Sequence, residues 1–378
     1  MGTTEMKLTV QRASFVPTFQ LVSSFAATKD LRPVLQSVKL VAEDGRVILT
    51  ATDAETSARA EIEFENPFNI AEEGSVLIPA KLLNKIFSET TDDEILLSST
   101  GSRLTVKGAR FKYTLDTITE IDSFPEISPF EENNCFKIAS SDVRRMIKRS
   151  TFATDQLNVH YLLNGVQLIF DRDSALAVAT DGRRLAVQSS PSEIVGEVPE
   201  NFVAQKAFFS TRSLKLILSV AVASPEAFVA IKKESAQIKF GNVTVQTTLM
   251  SGRFPDWDQI IPKSDNFTIV NLIAGDVARA IRQSEIVTTE SKPGVVLTFD
   301  DGKLVVTAEG EATGDSSVEL PVSYDKEKVE MKFDPKFLTD FFKEVAPEDS
   351  VTFRFGPSEF RTLFETNDGY RYVVMQLA

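Results

Sequence analysis

Residues 32–62 read RPVLQSVKLVAEDGRVILTATDAETSARAEI, which predicts a strand, a turn at Asp44-Gly45 and two further strands. An Asp-Gly pair between alternating apolar residues is a strong signal of a β-hairpin. The pattern recurs in residues 158–189, NVHYLLNGVQLIFDRDSALAVATDGRRLAVQS, and in residues 291–322, SKPGVVLTFDDGKLVVTAEGEATGDSSVELPV. Three copies about 130 residues apart indicate that one fold is triplicated.

The elements around this pattern also recur in one order: strand, helix, strands, helix, strands. Each predicted helix has apolar residues at helical spacing. The opening strands and helices are 7–10 with 14–26, 136–139 with 141–153, and 267–270 with 274–287. The second helices are 79–90, 210–223 and 334–346, and the closing strands lie in 94–118, 227–250 and 350–377.

The order of elements predicts an α+β fold class, with antiparallel sheets covered by two helices in each repeat. We predict three repeated domains of this one fold, residues 6–130 (repeat 1), 136–262 (repeat 2) and 264–378 (repeat 3). The polar stretches FEENN and PKSDN separate them. Because similar units joined by similar linkers rotate by similar angles, three copies should form an arc. A homodimer of such arcs would close a ring, of which this chain is half.

Composition limits the classes of function. The chain has 378 residues, with 41 Lys+Arg against 54 Asp+Glu and a formal charge of −13, which disfavours nucleic acid as a partner if the charge is evenly spread. The single cysteine, Cys135, excludes an intramolecular disulfide and fits a reducing compartment. With no signal-like N-terminus and no apolar run long enough for a bilayer, we expect a cytoplasmic protein with no membrane partner.

The charge is not evenly spread, because cations gather on the predicted helices and acids in the turns. Residues 141–153, SDVRRMIKRSTFA, predict an amphipathic helix that begins at an N-cap, Ser141, with an apolar face and a cationic face. A basic wall of this kind would follow the phosphates of duplex DNA without reading its sequence, whereas the simpler alternative is a solvated surface. The predicted DNA-binding residues are Lys29, Lys81, Lys85, Arg144, Arg145, Lys148, Arg149, Lys215, Arg279 and Arg282.

The sequence lacks the common catalytic and nucleotide-binding motifs. The sequence contains no Walker loop, G-x-G-x-x-G or G-x-S-x-G motif, and we predict no metal and no cofactor. One alternative is a small-molecule enzyme that uses Asp181 and Arg184 of the ATDGRR stretch together with His160, the only histidine. The structural interpretation of this stretch is a tight turn, since ATDAET at residues 51–56 occupies the same place in repeat 1. A one-metal carboxylate site and a protein-only scaffold are further alternatives.

Five motifs carry a family resemblance: HYLLNG (160–165), VATDGRRLAV (178–187), GRFPDW (252–257), IIPK (260–263) and YVVM (372–375). In this order and spacing they resemble the β subunit of bacterial DNA polymerase III, the sliding clamp, over essentially the whole chain. The resemblance implies a head-to-tail homodimeric ring around double-stranded DNA, with no sequence specificity and no catalytic activity. The implied partners are the replicative DNA polymerase, an ATP-driven clamp loader and repair proteins with clamp-binding motifs.

The resemblance also implies two protein-binding surfaces. A hydrophobic peptide-binding cleft between the second and third domains would be formed by Leu163, Thr180, Gly182, Arg184, Leu185, Pro255, Ile260, Val373 and Met375. At the dimer interface, Phe111 and Tyr113 on an edge strand would meet Ile286 and Val287 of the other subunit.

Overall fold

The computed structural model describes residues 5–63, 69–155, 161–197, 202–263, 267–289, 293–356 and 361–377. Repeat 1 contains β1 (Met6–Gln11), α1 (Arg12–Ser23), β2 (Ser37–Glu43), β3 (Arg46–Thr52), β4 (Thr56–Glu63), β5 (Ile70–Glu72), β6 (Gly74–Pro79), α2 (Ala80–Glu89), β7 (Glu94–Thr100), β8 (Arg103–Lys107) and β9 (Lys112–Asp116).

Repeats 2 and 3 have the same order of elements. Repeat 2 contains β10 (Cys135–Ala139), α3 (Ser140–Thr151), β11 (Gly165–Phe170), β12 (Ser174–Thr180), β13 (Arg184–Pro191), β14 (Glu193–Val195), β15 (Gln205–Ser210), α4 (Thr211–Val220), β16 (Glu226–Ile231), β17 (Ser235–Phe240) and β18 (Val243–Thr248). Repeat 3 contains β19 (Thr268–Ile273), α5 (Ala274–Ser284), β20 (Val295–Asp300), β21 (Lys303–Gly310), β22 (Gly314–Pro321), β23 (Val329–Phe333), α6 (Pro335–Phe342), β24 (Ser350–Phe355), β25 (Arg361–Glu365) and β26 (Tyr370–Met375).

The predicted α+β class and the threefold recurrence of strand, helix, strands, helix, strands are confirmed. The sequence pattern missed the strands just before the second helices, namely β5, β6, β14, β15 and β23. All five lie at the outer edges of their sheets. An edge strand is held by pairing on one side only, so its side chains need not alternate cleanly.

The strands form four antiparallel sheets, and two of these combine strands from successive repeats. One compact unit (Met1–Val143, Glu193–Phe202 and Arg212–Leu249) holds a five-stranded sheet, β5-β1-β7-β8-β9, and a nine-stranded sheet, β14-β10-β16-β17-β18-β4-β3-β2-β6. In the nine-stranded sheet, β18 of repeat 2 pairs with β4 of repeat 1 in the register Val243↔Ala60 to Thr247↔Thr56.

The second compact unit (Arg144–Ser192, Val203–Thr211 and Met250–Ala378) holds the other two sheets. Its eight-stranded sheet runs β15-β11-β12-β13-β26-β25-β24-β19, and β13 of repeat 2 pairs with β26 of repeat 3. Its four-stranded sheet runs β22-β21-β20-β23 and is built from repeat 3 alone. Because sheets are shared between repeats, the bounds of the compact units do not coincide with those of the three predicted domains. The domain boundaries therefore remain a prediction from the sequence.

Buried aromatic residues join the helices to the sheets within each unit. In the first unit, the rings of Phe15 and Phe19 on α1 lie 6.0 and 5.5 Å from that of Phe87 on α2. In the second unit, the Phe341 ring of α6 lies 5.2 and 5.1 Å from the rings of Tyr370 and Tyr372 on β26. Fully burying one such side chain contributes about 2–3 kcal/mol. These contacts hold α1 against α2, whose exposed face carries Lys81 and Lys85, and they hold α6 against β26.

None of the helices in the described ranges has both the length and the apolar character that a bilayer span requires.

Candidate functional site

The helices bury their apolar faces and present cations to solvent. On α3, Val143, Met146 and Ile147 are buried while Lys148 is exposed. Of the other predicted DNA-binding residues, Lys29, Lys81, Lys85, Lys215, Arg279 and Arg282 are exposed, and Arg144 and Arg145 are half-buried. Nine of the ten cations are therefore at least partly accessible, and their binding to DNA stays a prediction.

Arg149 is the exception, and its prediction as a DNA-facing residue is wrong. It is only 7% exposed, and its guanidinium donates to Asp368 Oδ2 (2.6 Å), Gln188 Oε1 (2.8 Å) and the Glu344 carbonyl (3.0 Å). The guanidinium also lies 4.8 Å above the ring of Tyr370. Arg149 lies on the helix face that packs against β13 and β26, so it holds α3 in place.

The carboxylate of Asp368 responds to this pairing. Burial opposes its ionisation, but hydrogen bonds from Thr366 and Arg149 outweigh that effect and hold the pKa of Asp368 below its ordinary value of 3.8. Asp368 is thus charged at neutral pH and forms an ion pair with Arg149.

The first turn of α3 also differs from its prediction. The helix begins at Ser140, so Ser141 lies inside the first turn rather than capping it. Asp142 remains in the first turn, where a negative charge interacts favourably with the helix dipole. One residue of difference at a helix end leaves the arrangement of the cationic face unchanged.

The ATDGRR stretch forms a tight turn, as its structural interpretation predicts. Asp181 Oδ1 accepts from the backbone N–H groups of Arg183 (2.9 Å) and Arg184 (3.0 Å). Thr180 Oγ1 accepts from the N–H of Gly182 (3.1 Å), which adopts a left-handed φ of 88°. The side chains thus satisfy backbone donors that the turn leaves without a partner.

The equivalent turn of repeat 1 has the same geometry. Asp53 Oδ1 accepts from the N–H groups of Glu55 (3.0 Å) and Thr56 (2.8 Å), and Thr52 Oγ1 accepts from that of Ala54 (3.0 Å). Ala54 has a φ of 78°, which is left-handed like that of Gly182. The repeated Thr-Asp pair is therefore a turn-forming element in both repeats.

The guanidinium of Arg184 is buried and makes its hydrogen bonds within the protein. It is 5% exposed, and it donates to Asp181 Oδ2 (2.9 Å), Asp340 Oδ2 (2.8 Å) and the Phe152 carbonyl (2.6 Å). Burial would lower its pKa, but Tyr372, Asp340 and Asp181 outweigh burial and raise the pKa above the ordinary value.

These contacts give no support to the small-molecule enzyme. Asp181 and Arg184 are bound to each other and to the backbone, and His160 lies outside the described residues. Within the described ranges, no group of three or more Asp, Glu, Cys and His side chains could hold a metal ion. Cys135 is buried, and burial raises the pKa of its thiol, which keeps the thiol protonated.

The residues predicted for the peptide-binding cleft fall into two layers. Leu185 and Val373 face each other across β13 and β26 and belong to one apolar cluster, against which Ile260 packs. Gly182 and Met375 are exposed. The remaining members are Leu163 and Pro255, which are half-buried, and Thr180 and Arg184, which are buried.

The burial of Arg184 corrects its predicted place in the cleft wall. Leu185, Val373, Thr180 and Arg184 lie beneath the surface and support it, because their atoms are committed to the sheet and to the ion pairs. A bound peptide would meet the exposed and half-buried members instead. Peptide binding itself stays a prediction.

Of the predicted dimer-interface residues, Tyr113 and Ile286 are exposed, and Phe111 and Val287 are half-buried. Tyr113 is 40% exposed on β9, and the adjacent Phe111 has its ring 5.7 Å away. Ile286 is 76% exposed, and both Ile286 and Val287 lie in a short 3-10 helix after α5 rather than in a strand. Among the described strands, β9 pairs only with β8 and β22 pairs only with β21. Both strands therefore present an unpaired edge.

Sequence reasoning missed several residues that organise these surfaces. Asp340, Asp368 and Gln188 partner the two buried arginines, and β22 forms an open sheet edge. For β22 a signal existed, because GDSSVELP alternates small or apolar residues with polar ones. For the arginine partners no local signal exists, since they lie between 39 and 219 residues away in sequence.

Comparison with known proteins matches the whole described architecture. Three family models match in order: the DNA polymerase III beta subunit N-terminal domain (residues 6–128), central domain (137–256) and C-terminal domain (258–377). The chain is 29% identical to the beta sliding clamp of Pseudomonas putida over 98% of this chain and 100% of that protein. It is 27% identical to that of Caulobacter vibrioides, with the same coverage.

Solved structures agree with these matches. The sliding clamp of Pseudomonas aeruginosa bound to griselimycin superposes with a TM-score of 0.90 and 26% identity, covering 99% of this chain and all of that chain. The Bacillus subtilis clamp, at 19% identity, shares the fold with a TM-score of 0.89 and 99% coverage of both chains. The fold is thus that of the bacterial sliding clamps. The chain belongs to the DNA polymerase III β subunit family.

Proposed function

We propose that this protein is the DNA sliding clamp of a bacterial replicative polymerase, a head-to-tail homodimeric ring that encircles duplex DNA. It acts by topology rather than catalysis. The closed ring keeps hold of DNA while its cationic helices make weak, mobile contacts with phosphates. A cleft on the second compact unit tethers the polymerase, and an ATP-driven loader places the ring on DNA.

One observation supports ring formation most directly: the two small sheets correspond, strand by strand, to the two halves of the nine-stranded sheet. The five strands β5-β1-β7-β8-β9 repeat the order of β14-β10-β16-β17-β18, and the four strands β22-β21-β20-β23 repeat the order of β4-β3-β2-β6. In the nine-stranded sheet these halves join through β18 and β4. Their counterparts β9 and β22 are each an edge strand of a small sheet.

Joining β9 of one copy to β22 of a second copy completes a nine-stranded sheet, and open edges favour such pairing. Two copies contain two β9 edges and two β22 edges, so a head-to-tail dimer pairs all four of them. The β18–β4 register transfers through the matching hairpins. With this register at the dimer interface, Phe111 would lie opposite Val318 of the partner subunit and Tyr113 opposite Ser316 of the partner subunit.

DNA binding is supported by seven exposed and two half-buried cations on the helices and the loop after α1 in an acidic chain. The test is retention on nicked circular DNA, followed by linearisation with a single cut. A ring should stay on the circle and slide off the cut molecule within the same buffer. Equal loss rates from the two would overturn the proposal, because a surface-bound protein has no reason to respond to DNA ends.

A charge-reversal variant separates the clamp from a protein-only scaffold. Replacing Arg144 and Lys148 together with Glu should shorten retention on circular DNA, because two phosphate contacts become repulsive. The dimer should persist, since these side chains belong to α3 and not to β9 or β22, the strands proposed to pair. Unchanged retention would favour the scaffold.

The tethering cleft is supported by the apolar cluster around Leu185 and Val373 and by the exposed Met375 at its margin. Short peptides bind such surfaces through a few apolar anchors. A leucine- and aromatic-containing peptide should therefore bind to the isolated dimer. The replicative polymerase, the loader and repair proteins would share this site.

A further inference from the structure

The first strands of repeats 1 and 2 are each covered on one side by a short strand. β1 pairs antiparallel with β5, and β10 pairs antiparallel with β14. In each pair an isoleucine of the short strand lies opposite an apolar residue of the first strand: Ile70 faces Leu8, and Ile194 faces Phe136. Both short strands also carry a glutamate in the pairing.

The first strand of repeat 3, β19, has no such cover. Each first strand ends directly before the first helix of its repeat, so Val270 takes the place of Leu8 and Phe136. Among the strands that the structure describes, β19 pairs with β24 alone. The connection at 322–328 forms no strand, because Tyr324 is buried and its carbonyl accepts from the N–H of Gly302 at 2.8 Å in the β20–β21 hairpin.

The open edge of β19 also lacks the usual protection against pairing. Edge strands are commonly protected by a charged residue or a proline. The other edge strands of the four described sheets, β5, β6, β9, β14, β15, β22 and β23, each contain at least one, whereas β19 reads TIVNLI and contains neither. Ile269 and Ile273 are 51% and 48% exposed, although Cys135, the counterpart of Ile269 in the covered strand β10, is only 1% exposed. β19 thus has the composition of a covered strand.

A cation lies at one end of this edge. In repeat 1, Glu72 of the covering strand lies opposite Lys7, whose counterpart in β19 is Ile269. In repeat 3, Lys326 Nζ lies 3.4 Å from Thr268 Oγ1, next to Ile269. An added strand with an acidic residue at this end would therefore meet a positive charge.

We infer that β19 is a docking edge for an extended segment of a partner protein, which adds one antiparallel strand to the eight-stranded sheet. The segment places a branched apolar residue opposite Val270 and an acidic residue beside Lys326. Main-chain hydrogen bonds supply the affinity in this mode of binding, and the side chains supply the specificity. A second copy of β19 has no acidic residue to offer to Lys326, so the charge favours a different protein.

This edge is distinct from the proposed peptide-binding cleft. Two strands, β24 and β25, separate β19 from β26, which carries the cleft residues Val373 and Met375. The inference therefore depends neither on the ring nor on the cleft, and a partner tethered in the cleft leaves this edge available.

The covering strand β5 supplies a probe. A fluorescein-labelled, end-capped peptide of residues 69–74, NIAEEG, should bind the full-length chain saturably, with a dissociation constant below about 1 mM in an anisotropy titration. Ile269→Glu should weaken this binding at least about tenfold, since it sets like charges against each other on the edge. Val222→Glu is the matched control, at an apolar residue that is 65% exposed after α4, and should leave the affinity unchanged.

A charge swap tests the predicted orientation. Lys326→Glu should weaken binding of NIAEEG, whereas the peptide NIAKKG should bind Lys326→Glu more tightly than it binds the wild-type chain. Thermal melting and retention on circular DNA should be unchanged in both edge variants, which excludes misfolding as the cause. An unchanged preference for NIAEEG in Lys326→Glu would contradict the orientation.

Backbone methylation tests strand pairing itself. A strand bonds to one neighbour through the N–H groups of alternate residues. Methylating the backbone nitrogen of Ile70 in one peptide and of Ala71 in another should weaken binding at least about tenfold at one position and less than about threefold at the other. Equal losses at both positions would show that the peptide does not add as a strand.

Three results would overturn the inference. One is the absence of saturable binding to the wild-type chain. Another is binding that Met375→Asp abolishes and Ile269→Glu does not, since the peptide would then occupy the cleft. The third is assembly of the wild-type chain beyond a dimer in sedimentation that Ile269→Glu prevents, because the occupant of the edge would then be a second copy.

Discussion

Replacing Arg149 with methionine tests whether this cation stabilises the protein or faces DNA. Methionine keeps most of the aliphatic volume but removes the guanidinium and its bonds to Asp368, Gln188 and Glu344, which measure 2.6 to 3.0 Å. Removing one partner of a buried ion pair costs about 3–5 kcal/mol. The Asp368 side chain is 40% exposed and regains water, so we expect the lower end, about 3 kcal/mol of unfolding free energy.

Urea unfolding followed by tryptophan fluorescence is a suitable assay. The chain has one tryptophan, Trp257, which packs against the apolar cluster of the compact unit that contains Arg149. With a slope of about 3 kcal/mol per molar urea, a loss of about 3 kcal/mol moves the midpoint down by about 1 M. Lys148→Met, at the adjacent exposed position, is the matched control and should stay within about 0.5 kcal/mol of wild type.

Unfolding of Arg149→Met and Lys148→Met at the same urea concentration would refute this stabilising role of Arg149. Such a result would mean that the buried guanidinium contributes nothing net, and that α3 is held by its apolar face alone. A second comparison is retention on circular DNA at a temperature where both variants are folded. Lys148→Met should then lose more retention than Arg149→Met, because only Lys148 is accessible to phosphates.

Three further outcomes are expected. Asp368→Asn should destabilise at pH 7 but progressively less below about pH 4, because the depressed pKa of Asp368 gives stability above its ordinary pKa that is lost on acidification; equal deficits at pH 7 and pH 3 in urea melts would contradict this. Ala54→Gly should stabilise by about 1 kcal/mol and Gly182→Ala should destabilise by a similar amount, since both turns need a left-handed residue; melting temperatures that shift in the same direction would refute it. Met375→Asp should weaken calorimetric binding of a leucine- and phenylalanine-containing peptide more than about tenfold with thermal stability unchanged, and undiminished affinity would place the cleft elsewhere.

Local sequence patterns predicted most of the helices and strands. The Asp44-Gly45 and Asp301-Gly302 pairs predicted hairpins, and both form tight turns in which the Asp and Gly residues have positive φ. Helical spacing of apolar residues located α1 to α6 to within a few residues of their ends. These features depend on neighbours in the sequence, so a pattern a few residues long suffices to find them.

The pairing of strands between repeats could not be read in this way. Whether β4 pairs with β18 depends on residues about 190 positions apart, and the alternation within each strand is satisfied by many partners. The fate of Arg149 shows the same limit. Its neighbours Lys148 and Arg145 carry the same charge, yet Arg149 is the one whose guanidinium is buried against Asp368, Gln188 and the Glu344 carbonyl, which are 219, 39 and 195 residues away.

Shared sheets also decide how this chain can be divided. A fragment that stops near residue 130 keeps β4 but loses its neighbour β18, so β4 becomes an unpaired edge strand in addition to β9. A cut near residue 263 separates β13 from its neighbour β26, so that β13 also becomes an unpaired edge strand. Single repeats should therefore aggregate when expressed alone, because each leaves strand edges exposed that a neighbouring repeat pairs in the intact chain.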